Sequence, residues 1–154
     1  MNREDKKNAY LYCKFRDRQM ALYDEYSKKH GMLLNTLLIT NVLFYAKNGM
    51  TQREISARTF LSKQTVNLIV GKLLRKECVT VTPSDDNGRE KLVRMTEAGT
   101  RFCEKVVRHI TWAEDTAMSM LTSEEQQTLI ALSRKFTQNL ETLIHLETAE
   151  HTGG

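Results

Sequence analysis

The sequence predicts a mainly α-helical chain in which a single β-hairpin interrupts the helices. Its 154 residues include one Pro and seven Gly, so residues that break helices are rare. Apolar residues recur at three- and four-residue spacing through most of the chain, which is typical of helices with one buried face. Residues 78–95 differ, because β-branched residues there alternate around a turn-rich centre, PSDDNG.

Two helices are expected in the first third of the chain. The first covers residues 9–29 and ends near Gly31, because glycine accepts the left-handed conformation that closes helices. Residues 1–8 are polar and are expected to be frayed. The second helix covers residues 36–47, is rich in Leu, Ile and Val, and has Asn35 as its expected cap.

A short helix, a tight turn and a second helix follow. Thr51 and Glu54 have the spacing of a capping box, which begins a helix that reaches residue 58 or 59. Phe60 and Leu61 form the turn, and Ser62 caps the next helix, residues 63–77. This order predicts a helix-turn-helix.

The second helix of this pair has two different faces. The residues expected to face the core are Val66, Ile69, Val70, Leu73 and Leu74. The opposite face contains Lys63, Gln64, Asn67, Gly71, Lys72 and Arg75, with no acid before Glu77. Cations bind phosphates, and amides and hydroxyls hydrogen-bond base edges, so this face suits a DNA major groove. The alternative is an ordinary solvated helix face.

The predicted hairpin comes directly after the helix-turn-helix. Its strands are expected at residues 78–82 and 89–95, and Arg89 and Lys91 flank its tip. A helix-turn-helix followed by a hairpin is a winged helix.

Two long helices complete the chain. Thr96 caps the first, and Thr122 and Glu125 form a capping box for the second. The last helix carries an apolar seam: Leu129, Leu132, Phe136, Leu140 and Leu143. The apolar surface of these helices is wider than a core of this size needs, which favours a homodimer. Residues 149–154 are expected to form a disordered tail.

Charge is distributed unevenly along the chain. The net charge is +4, and residues 51–94 contain nine Lys and Arg against five Asp and Glu. Residues 122–154 contain two basic and five acidic residues. A basic middle and an acidic end indicate that one region meets an anionic partner and the other has a different role.

Several classes of protein are not expected. No apolar run approaches the length of a membrane span and no signal peptide opens the chain, so a cytoplasmic protein without a membrane partner is expected. The four His never form a pair three or four residues apart, so no metal site is expected. No phosphate-binding glycine loop or nucleophile elbow occurs, so neither a cofactor nor an enzyme activity is expected.

The segments MTQREIS, LSKQTVNLIVGKLLRK, VRMTEAG and LTSEEQQTLIAL resemble the MarR-type winged-helix transcriptional regulators. The resemblance implies a winged-helix region at residues 32–96. It also implies a homodimer formed by residues 1–31 and by the helices of residues 97–148. Such dimers read pseudo-palindromic duplex DNA, most often as repressors, and many bind small phenolic or lipophilic effectors between the dimer helices and the winged lobe.

The chain departs from the family pattern at four positions. Glu77 replaces a usual Gly before the first wing strand, and Leu68 stands where many members carry Arg. At the wing tip the family usually has Asp-Arg-Arg, where this chain has Asn87-Gly88-Arg89. The retained Arg89, with Lys91 behind it, corresponds to the Arg that reaches the minor groove in the family, where narrow A·T tracts attract Arg, and Asn87 replaces the Asp that steadies it. Leu68 therefore removes one expected DNA contact of the family.

Cys13 is a candidate redox site. The organic-peroxide sensors of the family carry a reactive Cys among tyrosines in the first helix, and Cys13 lies close in sequence to Tyr10 and Tyr12. The alternative is a small apolar side chain that fills space, which is also the expectation for Cys78 and Cys103. Three Cys far apart in sequence indicate a reducing compartment.

These expectations combine into one predicted function, a sequence-specific regulator that binds duplex DNA as a homodimer. The side chains expected to contact bases or nearby phosphates lie at the start of the second helix of the helix-turn-helix: Ser62, Lys63, Gln64, Thr65 and Asn67. Lys72 and Arg75 are expected to bind backbone phosphates. The alternative is a winged helix that serves as a protein-interaction module without specific DNA binding.

Overall fold

The computed structural model describes residues 2–83 and 90–150, and the side chains within them up to residue 146. In this part of the chain there are six helices and three strands. They are α1 (Arg3–Lys29), α2 (Leu34–Tyr45), β1 (Met50–Thr51), α3 (Gln52–Thr59), α4 (Lys63–Arg75), β2 (Val79–Pro83), β3 (Lys91–Met95), α5 (Glu97–Ser119) and α6 (Ser123–Glu150). The predicted class, mainly α with a helix-turn-helix and a small hairpin, is confirmed.

The beginnings of the first two helices differ from the predictions. Asn2 and Asp5 form a reciprocal capping box, with the Asp5 N–H donating to Asn2 Oδ1 at 2.8 Å. Helix α1 therefore begins at Arg3, so the expectation that residues 1–8 are frayed was wrong for residues 3–8. Helix α2 begins after Leu33 without a side-chain cap, so the prediction that Asn35 is the cap was wrong.

The sheet has one strand more than the predicted hairpin. Its order is β1-β3-β2, and the short β1 pairs antiparallel with β3, Met50 opposite Val93. Gly49 makes this approach possible, because it has φ +79° and an added Cβ would lie 2.7 Å from the Val93 carbonyl oxygen. A two-residue strand is too short to leave an alternating pattern in a sequence.

The core of the winged-helix region joins the helices to the sheet. Ile39 of α2, Ile55 of α3, Val66 of α4 and Val93 of β3 are all fully buried in one apolar cluster. Helix α4 buries four of the five residues predicted for its inner face, whereas the fifth, Leu74, is 46% exposed. Leu74 lies outside the narrow arc of the four buried residues of α4, so the prediction that it faces the core was wrong.

Helix α4 ends in a Schellman motif. The Cys78 N–H donates to the Leu73 carbonyl at 2.9 Å, and the Glu77 N–H donates to the Leu74 carbonyl at 3.0 Å. This motif needs a left-handed residue, and Glu77 has φ +57°. Glycine takes this conformation at no steric cost, which is the physical reason that Gly is usual at this position in the family that the sequence resembles.

Cys78, before β2, and Cys103, in α5, are both buried. Cys78 and Cys103 expose 6% and 0% of their surface, and burial raises the pKa of the Cys103 thiol to about 11. The Cys103 thiol is therefore protonated at neutral pH. Both side chains pack as small apolar groups, in line with the expectation from the sequence.

Residues up to His109 and residues from Ile110 onward form two compact units. In the second unit, Thr122 and Glu125 make the predicted capping box: the Glu125 N–H donates to Thr122 Oγ1 at 3.2 Å. Gln126 Nε2 donates to the carbonyls of Met118 and Leu121, both at 3.0 Å. These contacts hold the turn that joins α5 to α6.

Helix α6 continues into the predicted tail. It ends at Glu150, so residues 149 and 150 are helical and the expectation of disorder was wrong for them. No Pro or Gly occurs between Ser123 and Gly153, so nothing in the local sequence stops the helix earlier. Residues 151–154 lie outside the described part. No helix among the described residues is long and apolar enough to cross a membrane.

Candidate nucleic-acid interface

The turn between α3 and α4 fixes the direction of α4. Phe60 ends α3 in the left-handed conformation, φ +57°, and its side chain is 94% exposed. The Ser56 hydroxyl donates to the Leu61 carbonyl, and the Thr59 hydroxyl donates to the Ile55 carbonyl at 2.7 Å. The bond from Ser56 ties the turn to α3, whereas the bond from Thr59 lies within the last turn of α3.

The capping box at the start of α3 is formed as predicted. The Thr51 N–H donates to Glu54 Oε2 at 2.7 Å, and the Glu54 N–H donates to Thr51 Oγ1 at 3.2 Å. The backbone N–H of Thr51, with a smaller contribution from its hydroxyl, holds the pKa of Glu54 below its usual range. The carboxylate form of Glu54 is thus the form that completes the cap.

Ser62 caps α4 as predicted. Its Oγ accepts from the Thr65 N–H at 3.2 Å and lies 2.9 Å from Thr65 Oγ1. The hydroxyls of Ser62 and Thr65 therefore bond to each other at the start of the helix. One hydroxyl donates to the other, so this pair leaves one hydroxyl proton free to donate to a phosphate oxygen while it holds the first turn in place.

The outer face of α4 brings together most of the predicted DNA-binding residues. Val66, Ile69, Val70 and Leu73 are 6% exposed or less and define the inner face. The exposed side chains are Lys63, Gln64, Asn67, Leu68, Lys72, Leu74 and Arg75. Gln64, Leu68 and Arg75 lie close to the centre line of this outer face, opposite the buried residues.

The base of the wing is held by Arg94, which the sequence analysis did not identify. Its Nε donates to the Asn48 carbonyl at 3.1 Å, and its Nη1 donates to Thr82 Oγ1 at 2.7 Å. Arg53 of α3 also pairs with Glu90 at 3.3 Å. Lys91 is exposed at the start of β3. The wing tip, with Asn87 and Arg89, lies outside the described residues.

A cavity of about 440 Å³ lies beside the C-terminal half of α4. Its apolar lining comes from Met32, Leu33, Ile69, Leu73 and Phe102. Three cationic residues also line it, Lys72, Arg75 and Lys76. The ammonium of Lys76 lies 6.0 Å from the centre of the Phe102 ring. Two of the three cations, Lys72 and Arg75, also belong to the outer face of α4.

The remaining candidates from the sequence are a redox-active thiol and a metal site. Cys13 is half-buried on α1, and its reactivity stays a prediction. In residues 2–83 and 90–146, no group of three or more His, Cys, Asp or Glu is arranged to hold a metal ion.

The sequence model of the MarR family matches residues 42–90, from the second half of α2 to the residue before β3. No curated protein sequence matches the chain. Solved structures match over most of its length. The MarR/EmrR family transcriptional regulator of Acinetobacter sp. ADP1 is 21% identical with a TM-score of 0.70, and the match covers 92% of this chain and 99% of that one.

Two further structures are similar. Staphylococcus aureus MepR in complex with DNA is 20% identical with a TM-score of 0.69, covering 86% of this chain and 97% of MepR. Bordetella bronchiseptica BpsR, whose DNA binding is regulated by 6-hydroxynicotinic acid, is 16% identical with a TM-score of 0.65, covering 84% and 91% of the two chains. The family model thus matches the helix-turn-helix and the segment that leads into the wing, and the solved MarR-type regulators share the winged-helix fold of this chain.

Proposed function

We propose that this protein is a sequence-specific repressor that binds duplex DNA as a homodimer on a pseudo-palindromic operator. The observation that carries the proposal is the outer face of α4. Cations and amides there are exposed, while four apolar residues anchor the opposite side of the helix in the core. The similar MepR fold has been solved with DNA. Repression is the commonest role in the family that the sequence resembles.

The roles of the side chains follow from their chemistry. Gln64 and Asn67 carry amides that can form paired hydrogen bonds with adenine, so we assign them to bases. Lys63, Lys72 and Arg75 carry the positive charge that neutralises phosphates. Ser62 and Thr65 hold the first turn, and the one hydroxyl proton that their mutual hydrogen bond leaves free can be donated to a DNA phosphate.

The wing would extend the contact beyond the major groove. Lys91 is exposed on the strand that returns from the tip, and we assign it, together with Arg89, to the neighbouring minor groove. The Arg94 and Arg53 contacts hold the base of the wing against β2, the Asn48 loop and α3. With two-fold symmetry, the half-sites would lie about one helical turn, roughly 10 base pairs, apart.

Substitutions of base-contacting and of phosphate-contacting residues are expected to change DNA affinity in different ways. Gln64→Ala or Asn67→Ala should cost about 1–3 kcal/mol on a selected duplex and relax preference at one position per half-site. Lys72→Ala should weaken binding to all sequences about equally and reduce the salt slope by about two per dimer. Arg89→Ala should lose most on sites with A·T tracts beside the major-groove contacts.

The measurement is affinity at several salt concentrations for selected and scrambled duplexes. Lys105→Ala is the matched control, because Lys105 is an exposed cation on α5, outside both α4 and the wing. It removes the same charge and should leave the affinity nearly unchanged. Equal affinity of the wild type for selected and scrambled duplexes would contradict specific regulation and favour a protein-interaction module.

We further propose that the cavity beside α4 binds a small phenolic or lipophilic effector that is anionic at neutral pH. Its walls are apolar, and its three cations would pair with a carboxylate or phenolate. Because Lys72 and Arg75 would then be engaged by the effector, it would compete with phosphate binding. The regulation of BpsR by 6-hydroxynicotinic acid is a property of that protein and offers a parallel.

The probe for this second proposal is 1-naphthoate, with the neutral 1-naphthamide as its control. The acid should lower DNA affinity and the amide should have little effect, because only the acid pairs with the cations. Lys76→Ala should weaken the response to the acid several-fold, yet leave DNA affinity without ligand nearly unchanged, since Lys76 is not among the proposed DNA contacts. Equal responses to the acid and the amide would count against the proposal.

A further inference from the structure

Leu68 is an apolar residue at the centre of a polar face. It is 56% exposed, and the four buried residues of α4 point the opposite way. Gln64 lies one turn before it and Lys72 one turn after it, so polar and cationic side chains stand on both sides along the helix. Leu68 does not belong to the core cluster formed by the described residues.

The neighbours of Leu68 decide which partner its side chain suits. A protein interface has few charged residues at its centre, whereas Leu68 stands among Lys63, Lys72 and Arg75. Burying that face against an apolar partner would leave the cations without counter-charges. A DNA major groove offers phosphates for the cations and, among the bases, one apolar group, the 5-methyl of thymine.

We propose that Leu68 is a specificity-determining residue that packs on the 5-methyl group of a thymine in each half-site. This inference rests on the proposed DNA-binding function. Four residues of helix separate Leu68 from Gln64, an axial rise of about 6 Å, or roughly two base steps. The selected thymine should therefore lie one or two base pairs from the base that Gln64 reads.

The proposal accounts for the replacement of Arg by Leu at this position. An Arg on the centre line of α4 would select guanine through its O6 and N7 atoms. A Leu has no donor, so it contributes selectivity only through contact with a methyl group. Compared with a protein that carries Arg at this position, this chain should therefore prefer thymine to guanine at this base pair, while the phosphate contacts of Lys72 and Arg75 stay the same.

The test replaces each thymine of a selected duplex by deoxyuridine, which lacks only the 5-methyl group. For the wild type, one position per half-site should show a loss of about fourfold, and replacement in both half-sites about fifteenfold, as expected for one buried methyl group each. Leu68→Ala should bind the thymine and uracil duplexes equally. Leu68→Arg should shift the preference at that pair toward guanine.

Because Leu68 is exposed and outside the core, Leu68→Ala should unfold at the same urea concentration as the wild type, which separates readout from stability. Specific binding with no uracil-sensitive position would overturn the inference and leave the proposed function standing. The same would follow if Leu68→Ala kept the full uracil effect, because another residue would then read the methyl group. Failure of the proposed function has a different signature, the loss of any difference between selected and scrambled duplexes.

Discussion

Leu143→Asp is expected to abolish both the homodimer and the stable fold. Helix α6 exposes a series of large apolar side chains: Leu129, Ile130, Leu132, Leu140, Leu143, Ile144 and Leu146. Monomers rarely expose so much contiguous apolar surface, and isolated helices gain little stability from propensity alone. If a second copy covers this surface, the introduced carboxylate would be a buried, unpaired charge at a cost of several kcal/mol.

The same reasoning extends to α1, which exposes Tyr10, Leu11 and Phe15. The measurement is sedimentation velocity at micromolar concentration, together with circular dichroism. Gln138→Asp is the matched control, because it places the same charge on the opposite side of α6 from Leu140 and Leu129. It should remain a folded dimer. A wild type that sediments as a compact monomer would contradict the proposed dimer.

Gly99→Ala is expected to destabilise the protein by about 3 kcal/mol or more. An added Cβ would lie 1.9 Å from the Cys78 carbonyl oxygen and 2.7 Å from its carbon, both backbone atoms that cannot turn away. Helix propensity alone predicts the opposite sign, because Ala is favoured over Gly in helices by about 1 kcal/mol. We expect the steric clash of the added Cβ to outweigh the gain from helix propensity, so that the free energy of unfolding falls.

Three hydrogen bonds hold Gly99 in this position. The Thr96 N–H donates to the Cys78 carbonyl at 3.0 Å, and the Thr96 hydroxyl donates to the Glu77 carbonyl at 2.7 Å. The same hydroxyl accepts from the Gly99 N–H at 2.9 Å, which caps α5. To make room for a methyl group, the start of α5 would have to move away from the end of α4 and break these bonds.

The measurement is urea unfolding at a fixed protein concentration, because the proposed dimer would make the stability depend on concentration. Gly71→Ala in α4 is the matched control: its added Cβ would meet only Arg75 Nη1, at an ordinary 3.6 Å. This variant should gain up to about 1 kcal/mol from helix propensity. A Gly99→Ala protein as stable as the wild type would show that α5 can shift freely.

The sequence by itself determined the elements whose signals are local. The capping residues Thr51, Ser62, Thr96 and Thr122 bond to groups three residues away, so a short window of sequence contains both partners. The inner face of α4 follows from helical spacing for the same reason. These features are enough to predict the helix-turn-helix and the group of exposed cations and amides on α4, while the alternation of β-branched residues around PSDDNG predicts the hairpin.

The tertiary structure alone decided the features that join distant segments. Arg94 contacts Asn48 across 46 residues, and β1 exists only because it pairs with β3. The strict need for Gly at position 99 likewise depends on the Cys78 carbonyl, which belongs to another element. Such contacts leave no periodic pattern in the sequence, because their energy comes from atoms that meet only after the chain has folded.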